Sequence, residues 1–409
     1  MKIHVKSVKK NISYIVLTLI LVMFTDTLWI RYANFNRFYL VIGIGVVALL
    51  IGLQKCAKRS FENLVIFLLP VVLSMLVNVD LNTLILFKIS LIIIGWAIVN
   101  KADLNKLVNT YVNFMVFVAI FSLVCMMLRQ MIMSMDFIPT INSGSYGTKT
   151  LFFTNVKIGT GNLYFLRNQG PFWEPGAYQA YLNIALMFLM FSDVKRKHKN
   201  IEIIILCITV VSTISTTGFV VLGLLFIAKL FSEDHSSIRS KVFIAIIFIV
   251  VVGIVMNNET INYLLFDKMN SSSNNNVSNA TRLYSIMQNG KGIIQNPIFG
   301  IGPKKYQKLF LEATSMWGAV DTGVNTTTSL SVWALYGVLY FIIFNLGLLL
   351  FSKSIGKSNW VTVLIFIAII VIYNTENMNY SIFFNFLPVW GYLMKGGDLF
   401  ESGSNINGF

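Results

Sequence analysis

The chain has 409 residues, of which 56% are hydrophobic and only 12% are charged. A soluble domain carries about 25% charged residues, so this chain has too little polar surface to coat a water-soluble globule. Its net charge of +15 comes from basic residues clustered in short segments between apolar runs, a pattern that indicates membrane topology and argues against a nucleic-acid partner.

Apolar runs of about 15–22 residues predict transmembrane helices along the chain. Twelve are expected, at 12–30, 38–53, 61–78, 84–99, 107–128, 173–192, 201–213, 216–231, 241–256, 328–351, 360–374 and 380–394. The pair 201–213 and 216–231 has an alternative interpretation as one kinked helix. That alternative would place Lys353 and Lys357 outside, against the positive-inside rule. The charges therefore favour twelve spans with both termini in the cytoplasm.

Two segments between the predicted spans are long, and both are expected on the extracytoplasmic side. Loops longer than about 15 residues are usually functional or disordered. The predicted organisation is five spans in 1–128, a first long loop in 129–172, four spans in 173–256, a large loop with amphipathic helices in 257–327, three spans in 328–394 and a cytoplasmic tail in 395–409.

The first long loop ends at Arg167 and Glu174, which lie at the edge of an apolar run in a turn rich in proline and glycine. A charge near a bilayer is costly, so it normally has a task or a partner. We expect Arg167 to bind a phosphate, and Glu174 to accept a proton from an attacking hydroxyl as a general base. Tyr178 is expected to contact the substrate. Two alternatives remain: the two charges pair and hold the turn, or Glu174 caps a helix that begins near residue 176.

The second long loop contains Arg282, which opens a weakly amphipathic segment whose apolar positions share one face: Leu283, Ile286, Met287 and Ile294. Asn279 or Thr281 is the expected N-cap. An arginine in a first helical turn is unfavourable beside the positive end of the helix dipole, and a bound anion would resolve that conflict. The alternative is an interfacial helix that contacts lipid headgroups.

A turn follows this segment in Asn296-Pro-Ile-Phe-Gly-Ile-Gly-Pro303, where Pro297 is expected to stop the helix. Lys304 and Lys305 come directly after it. We expect the turn to present these lysines to an anionic ligand or headgroup. A purely structural turn is the alternative, and no strand precedes the glycines as a dinucleotide site would require.

Several kinds of site lack the residues that would build them. The outer loops contain no Asp-x-Asp pair for a divalent metal, and the three histidines (His4, His198 and His235) map to the cytoplasmic side. No nucleotide-binding loop of the Gly-x-x-x-x-Gly-Lys type occurs, so ATP is not expected as the energy source. We therefore expect metal-independent chemistry without a cofactor.

Together, these motifs resemble those of the O-antigen polymerase and ligase superfamily. The resemblance rests on three segments: Arg167-x-x-Gly170-x-Phe172-x-Glu174-Pro175, Arg282 with Asn296-Pro-Ile-Phe-Gly-Ile-Gly302, and Thr326-Thr-Thr-Ser-Leu-Ser-Val-Trp-Ala-Leu-Tyr-Gly337. The expected span count and the large outer loop before the last three spans are also similar.

The resemblance implies an all-α, GT-C-like polytopic membrane protein that acts as a glycosyltransferase. It would polymerise polyprenyl-diphosphate-linked oligosaccharide repeat units into O-antigen, capsular or exopolysaccharide. The active site would face the extracytoplasmic side of the bacterial cytoplasmic (inner) membrane. Arg167 and Arg282 would bind the diphosphate in one pocket and stabilise it as the leaving group. Besides membrane lipids, the implied partners are a chain-length regulator and a flippase.

Two other functions remain open. The ligase branch of the superfamily typically has a histidine ahead of the tenth span, and here Thr326 or Thr327 stands in the corresponding place. That departure favours a polymerase over a ligase that transfers glycan to another acceptor. A transporter or flippase of the same lipid-linked saccharide would place charges along a midplane cavity and use broken helices. Lys88 lies nearer the outer end of the fourth predicted span, a position from which a lysine can snorkel to the outer surface.

Overall fold

The computed structural model describes residues 2–31, 37–54, 56–143, 146–159, 166–192, 196–232, 277–312, 325–356 and 358–393, with single helical positions at 242, 246, 249 and 253. The first helices are α1 (Lys2–Asp26), α2 (Leu28–Arg31), α3 (Arg37–Leu53), α4 (Lys58–Asn78), α5 (Thr83–Lys101), α6 (Leu104–Met127) and α7 (Arg129–Ser134). Strands β1 (Thr140–Ser143), β2 (Tyr146–Leu151) and β3 (Thr154–Lys157) precede α8 (Pro175–Phe191), α9 (Lys199–Ser212) and α10 (Thr216–Leu230). The later helices are α11 (Val277–Gln295), α12 (Gly302–Glu312), α13 (Thr328–Ile355), α14 (Asn359–Tyr373) and α15 (Ile382–Leu393).

Within the described residues, the helices lie close to the predicted spans. Four are long and apolar enough to cross a membrane: Ser60–Asn78, Thr83–Lys101, Leu104–Met127 and Thr328–Ile355. Shorter apolar helices cover Ile12–Asp26, Arg37–Leu53, Thr216–Leu230, Asn359–Tyr373 and Ile382–Leu393. The prediction of a helical membrane protein is confirmed, and the count of twelve spans stays a prediction. Apart from its four single positions, the predicted span 241–256 lies outside the described residues.

Residues 213–215 separate α9 from α10 and decide whether one helix or two occupy this region. Ile214 has φ 47°, in the left-handed region that a β-branched residue rarely adopts. Ser215 then caps α10, because its hydroxyl accepts a hydrogen bond from Gly218 N at 3.5 Å. Two separate helices are therefore present, as the distribution of charges predicted.

The first long loop contains an antiparallel sheet in the order β1-β2-β3, in which Thr148 lies opposite Lys157. The all-α prediction is therefore wrong for this segment. The strands are four to six residues long, and threonine and valine favour them. Strands this short do not appear as the long apolar runs that identify membrane spans. A small apolar cluster supports the sheet, formed by Cys125, Ile132, Ile138 and Val156.

The described chain forms two compact units. The first contains α1, α2, α6–α10 and the sheet, from the described residues up to 31 and between 102 and 253. The second contains α3–α5 and α11–α15, from residues 37–101 and 277–393. Helices of the first predicted segment, 1–128, thus contribute to both units. The predicted division of the chain follows topology, and it stays a prediction.

Helix α8 is the central helix of the first unit. All of its residues from Pro175 to Phe191 are buried, and it packs against α6, α9 and α10. Most of its side chains are apolar and need an apolar environment, and here the protein supplies it. Because α8 is enclosed, the position of Glu174 at its N-terminal end is fixed.

Helices α5, α13 and α15 pack together in the second unit. Helix α13 is interrupted at Gly337, which has φ 85° and ψ 174°. Glycine adopts such angles readily because it has no side chain, whereas other residues rarely do. Gly337 is the last residue of the third segment of the resemblance. The break there positions the turn that follows α11, at residues 296–303.

Candidate functional site

The segment between Arg167 and Glu174 is held by backbone hydrogen bonds to three elements of the first unit. These bonds join Asn168 N to Ser212 O at 3.0 Å, Asn155 N to Gly170 O at 2.8 Å and Leu28 N to Pro171 O at 2.9 Å. The partners belong to α9, β3 and α2. The segment is therefore a fixed turn, as its prolines and glycines indicate.

Gly170 is required at the centre of this turn. Its φ is 51°, and a Cβ atom there would lie 2.8 Å from the Tyr178 ring. Asn168 bridges the turn to α6, because its Oδ1 accepts from Gly170 N at 3.0 Å and its Nδ2 donates to Ser122 Oγ at 3.0 Å. Ser122 Oγ also lies 3.0 Å from Tyr178 Oη. Tyr178 is 0% exposed, so the structure gives it a packing role, and its predicted contact with substrate stays a prediction.

Arg167 is half-buried beside the break between α9 and α10. Its Nε donates to Thr213 O at 3.1 Å, at the C-cap position of α9. The C-terminal end of a helix carries partial negative charge, which favours a nearby cation. The contact uses one of the five N–H donors of the guanidinium and fixes one edge of this group.

Glu174 occupies the N-cap position of α8, as one of the alternatives predicted. Its side chain makes no capping hydrogen bond to the helix. Instead, its Oε1 accepts a hydrogen bond from Trp173 Nε1 at 2.6 Å. The half-buried carboxylate is therefore directed by the indole of the preceding residue, and the backbone of α8 does not hold it.

Lys157, at the end of β3, shares an electrostatic environment with both of these residues. It is buried, with 4% of its surface exposed. Burial and the charge of Arg167 lower the pKa of Lys157 from 10.5 to about 7, while Glu174 acts in the opposite direction. This residue was not among the predicted site residues. It is a basic group that changes charge near neutral pH.

Asp26 of α1 and Arg31 of α2 approach the same turn. The Arg31 guanidinium lies 3.3 Å from the centroid of the Trp173 ring, and its Nη2 is 3.9 Å from Asp26 Oδ1. Asp26 is buried and accepts hydrogen bonds from the hydroxyls of Tyr181 and Thr25. Trp173 therefore contacts both Arg31 and Glu174.

These charged groups form what we call the arginine cluster: Asp26, Arg31, Lys157, Arg167 and Glu174. With Lys157 protonated, the three basic groups exceed the two carboxylates. Two of the basic groups are guanidiniums, whose planar donors match phosphate oxygens. The arrangement can therefore bind an oxyanion close to a carboxylate that can accept a proton.

In the second unit, Arg282 lies on α11, and the predicted N-cap is wrong. The helix begins at Val277, so Asn279 and Thr281 lie inside it and Arg282 lies in the second turn. The dipole acts mainly within the first turn. The dipole argument for an anion at Arg282 is therefore weaker than the sequence indicated, while the half-buried position of Arg282 remains compatible with a ligand contact.

Helix α11 exposes an apolar face and buries a largely polar one, the reverse of a surface helix in a soluble protein. The four residues of its predicted apolar face are exposed, namely Leu283, Ile286, Met287 and Ile294, whereas Tyr284 is buried. Its buried face is largely polar and contains Thr281, Ser285, Gln288 and Asn289. An exposed apolar face favours the alternative of an interfacial helix in contact with lipid.

The buried polar face of α11 binds the start of the third segment of the resemblance. Asn289 Nδ2 donates to Asn325 Oδ1 at 3.1 Å and to Thr327 Oγ1 at 3.0 Å, and Asn289 Oδ1 accepts from Tyr306 Oη at 2.9 Å. Ser285 Oγ accepts from the backbone nitrogen of residue 326 at 3.0 Å. A fully satisfied buried amide specifies one arrangement of its neighbours. The amide of Asn289 therefore joins α11, α12 and the approach to α13.

The turn that follows α11 packs against the break in α13. Ile301 N donates to Ala334 O at 2.8 Å, and the backbone nitrogen of residue 338 donates to Pro297 O at 2.9 Å. A Cβ atom at Gly337 would lie 1.9 Å from Ile298 O. The second and third segments of the resemblance are thus in direct contact within the second unit.

Lys304 and Lys305 are exposed in the first turn of α12. The N-terminal end of this helix is occupied by a carboxylate of the same unit, because Asp80 Oδ2 accepts from Lys304 N at 2.8 Å. The lysine side chains extend from this end, as the turn predicted. Their binding of an anionic ligand stays a prediction.

Lys88 does not snorkel, so that expectation is wrong. It is 0% exposed, and its Nζ donates to Asn385 Oδ1 at 2.6 Å and to Asn379 O at 3.3 Å. The ammonium also lies 5.3–5.6 Å from the ring centroids of Tyr336, Tyr340 and Phe344. Oxygen acceptors and aromatic faces therefore replace water around this charge.

Within the described residues, Arg167 and Glu174 come together with Lys157, Arg31 and Asp26 in the first unit, and Arg282 belongs to the second. The prediction that Arg167 and Arg282 share one pocket stays a prediction. No group of three His, Cys, Asp or Glu side chains in the described part of the chain could hold a metal ion. Lys157 was missed because its strand was missed: in Thr-Asn-Val-Lys, only Thr and Val favour a strand, and Asn and Lys disfavour one.

Comparison with known proteins gives no assignment. The chain matches no protein-family model, and no curated protein is significantly similar to it in sequence.

Proposed function

We propose that this protein is a membrane glycosyltransferase that polymerises polyprenyl-diphosphate-linked oligosaccharide repeat units. The observation that supports the proposal is that Lys157 interacts electrostatically with both Arg167 and Glu174, and that Glu174 stands at the N-terminal end of a buried helix. A diphosphate needs fixed cationic donors, and an attacking hydroxyl needs a nearby base. The cluster contains both within the first unit.

The proposed reaction forms one glycosidic bond and breaks one glycosyl–phosphate bond. The acceptor hydroxyl attacks the anomeric carbon of the donor, and its proton passes to the Glu174 carboxylate. The bonding electrons leave with the diphosphate, whose charge Arg167 stabilises. Arg282, Lys304 and Lys305 of the second unit stay proposed substrate-binding residues. Cleavage of the donor supplies the free energy, and no metal or cofactor is assigned.

The proposed setting is the bacterial cytoplasmic membrane. Twelve spans with a cytoplasmic N-terminus would place the arginine cluster and α11 on the extracytoplasmic side. The exposed apolar face of α11 supports this, because such a face suits the membrane surface. A flippase would deliver the lipid-linked repeat unit, and a chain-length regulator would set the product size.

The test is the glycan profile of a deletion strain that is complemented with variants. Arg167→Ala should leave single repeat units on the lipid carrier, and Arg167→Lys should rescue poorly because an ammonium lacks the planar fork. Lys308→Gln is the matched control, since Lys308 is exposed and pairs with Glu312 at 3.4 Å. Normal chain-length ladders in both Arg167 variants would exclude the role in binding diphosphate. Long polymer that accumulates on the carrier in the deletion strain would favour the ligase.

A transporter of the same saccharide is the second candidate, and two observations in the second unit favour it. Lys88 is a buried charge within a long apolar helix, and α13 is broken at Gly337. Both features occur where transporters bind substrate. In proteoliposomes, movement of the lipid-linked saccharide across the bilayer without formation of a glycosidic bond would select this function.

A further inference from the structure

The first unit contains a groove whose lining residues lie outside the arginine cluster. An open groove of about 610 Å³ runs between α1 and α6. Along α6 it extends from Lys106 to Phe117, a rise of about 16 Å at 1.5 Å per residue. Nothing in the proposed glycosyl transfer uses it.

The end of the groove near the start of α6 is lined by hydrogen-bond donors. Arg196 donates to the Oδ1 atoms of both Asn109 and Asn113, and it is held in place by Glu202 at 2.5 and 2.9 Å. Because the amide oxygens face Arg196, the NH2 groups of the two amides point away from it. Both residues line the groove. Arg196 thereby orients two neutral side chains as donors.

Two more side chains add to this donor-rich end. Tyr14 Oη accepts from Asp103 N at 3.0 Å, which leaves the hydroxyl hydrogen to be donated elsewhere. Lys106 adds an ammonium, and its pairing with Asp103 at 3.4 Å is exposed, with 50% of the lysine side chain and 41% of the aspartate side chain accessible. An exposed pair of this kind is weak. The chemistry of this end therefore suits an oxyanion.

The other end of the groove is apolar and open. It is lined by Ile15, Phe114 and Phe117, and half of Ile15 and 47% of Phe117 are exposed. Helix α6 is long and apolar enough to cross a membrane. In a bilayer, these exposed side chains lie beside acyl chains, while the start of α6 lies at the headgroup level.

We propose that this groove binds one anionic phospholipid. Its phosphate would lie among Lys106, Asn109 and Asn113, and one acyl chain would lie along Phe114 and Phe117. Donors at one end and exposed aromatic rings at the other match an amphiphile with a negative headgroup. In the predicted topology, the lipid belongs to the cytoplasmic leaflet. The site is separate from the glycosyl-transfer proposal and does not depend on it.

The test places a tryptophan reporter in the groove of the full-length protein. Ile15→Trp is reconstituted in phosphatidylcholine vesicles that contain either brominated phosphatidylglycerol or brominated phosphatidylcholine, and quenching is measured relative to the parent protein. A basic residue near an anionic lipid contributes about 1 kcal/mol, or about fivefold in affinity. We expect half-maximal quenching by the anionic lipid at about a fivefold lower mole fraction than by the neutral lipid.

Asn113→Asp, added to the Ile15→Trp protein, tests whether the groove is the source of the preference for anionic lipid. It keeps the oxygen that Arg196 contacts, and it replaces the donor with a negative charge, so the preference for the anionic lipid should disappear. Lys58→Gln is the control, because it removes an exposed charge at the start of α4 and should leave the preference unchanged. Equal quenching by the two lipids, no quenching, or a preference that persists in Asn113→Asp would each overturn the proposal.

Discussion

The protonation of Lys157 should control how tightly the arginine cluster binds an anion. Burial lowers the pKa of this lysine to about 7, so the group is mostly charged at pH 6 and mostly neutral at pH 8. If only the charged form binds, affinity should weaken about tenfold between these values. The sign follows from the lowered pKa, because deprotonation as pH rises through 7 removes a cation from the ligand.

The assay is equilibrium binding of a short-chain prenyl diphospho-sugar to the purified protein at constant ionic strength. A diphosphate diester keeps its charge between about pH 6 and pH 8, so the ligand does not add its own titration. Lys157→Arg should bind with a flat pH profile, and Lys157→Met should bind weakly with a flat profile. Lys308→Gln should keep the slope of the parent. A parent profile as flat as that of Lys157→Arg would refute the reasoning.

Three further predictions concern stability and packing. Gly337→Ala should lower the melting temperature, at a cost of about 1–3 kcal/mol or more, because φ is 85° and the new Cβ would meet Ile298 O. Gly43→Ala, with no atom within 4 Å of the added Cβ, is the control and should melt like the parent. Tyr178→Phe should reduce stability by about 1 kcal/mol and leave the glycan ladder unchanged, whereas short glycans would support the predicted substrate contact. Lys88→Glu should prevent folding, because a carboxylate would face oxygen acceptors and aromatic rings. Size-exclusion chromatography should then show little folded protein, and recovery at the parental yield would contradict this.

The helices were the most predictable part of the fold. Long apolar runs identify spans by length. The break at residues 213–215 is predictable because one continuous helix in place of α9 and α10 would put Lys353 and Lys357 outside. The sheet was missed, since short strands in a polar loop give little signal beside membrane helices. For α11, the sequence predicts the apolar face but not which face is buried. The polar face is buried because Asn289 contacts Asn325 and Thr327, and the apolar face is therefore exposed.

Part of the candidate site was predictable and part was not. Arg167 and Glu174 are identified by their type and position, because charges beside a membrane span need a function or a partner. Lys157 and Arg31 come from other segments of the chain, and only the folded unit brings them to Trp173 and Glu174. The cap predicted at Asn279 or Thr281 was wrong, because α11 begins earlier, at Val277.

The central claim is that this protein forms glycosidic bonds and uses Arg167 to stabilise the departing diphosphate. Its most direct test is to incubate the purified protein in proteoliposomes with a lipid-linked repeat unit and to measure polymer and free polyprenyl diphosphate together. The parent should release one carrier diphosphate for each bond formed, and Arg167→Ala should release none while Lys308→Gln matches the parent. Movement of the saccharide across the bilayer without release of the carrier, or unchanged release by Arg167→Ala, would contradict the account.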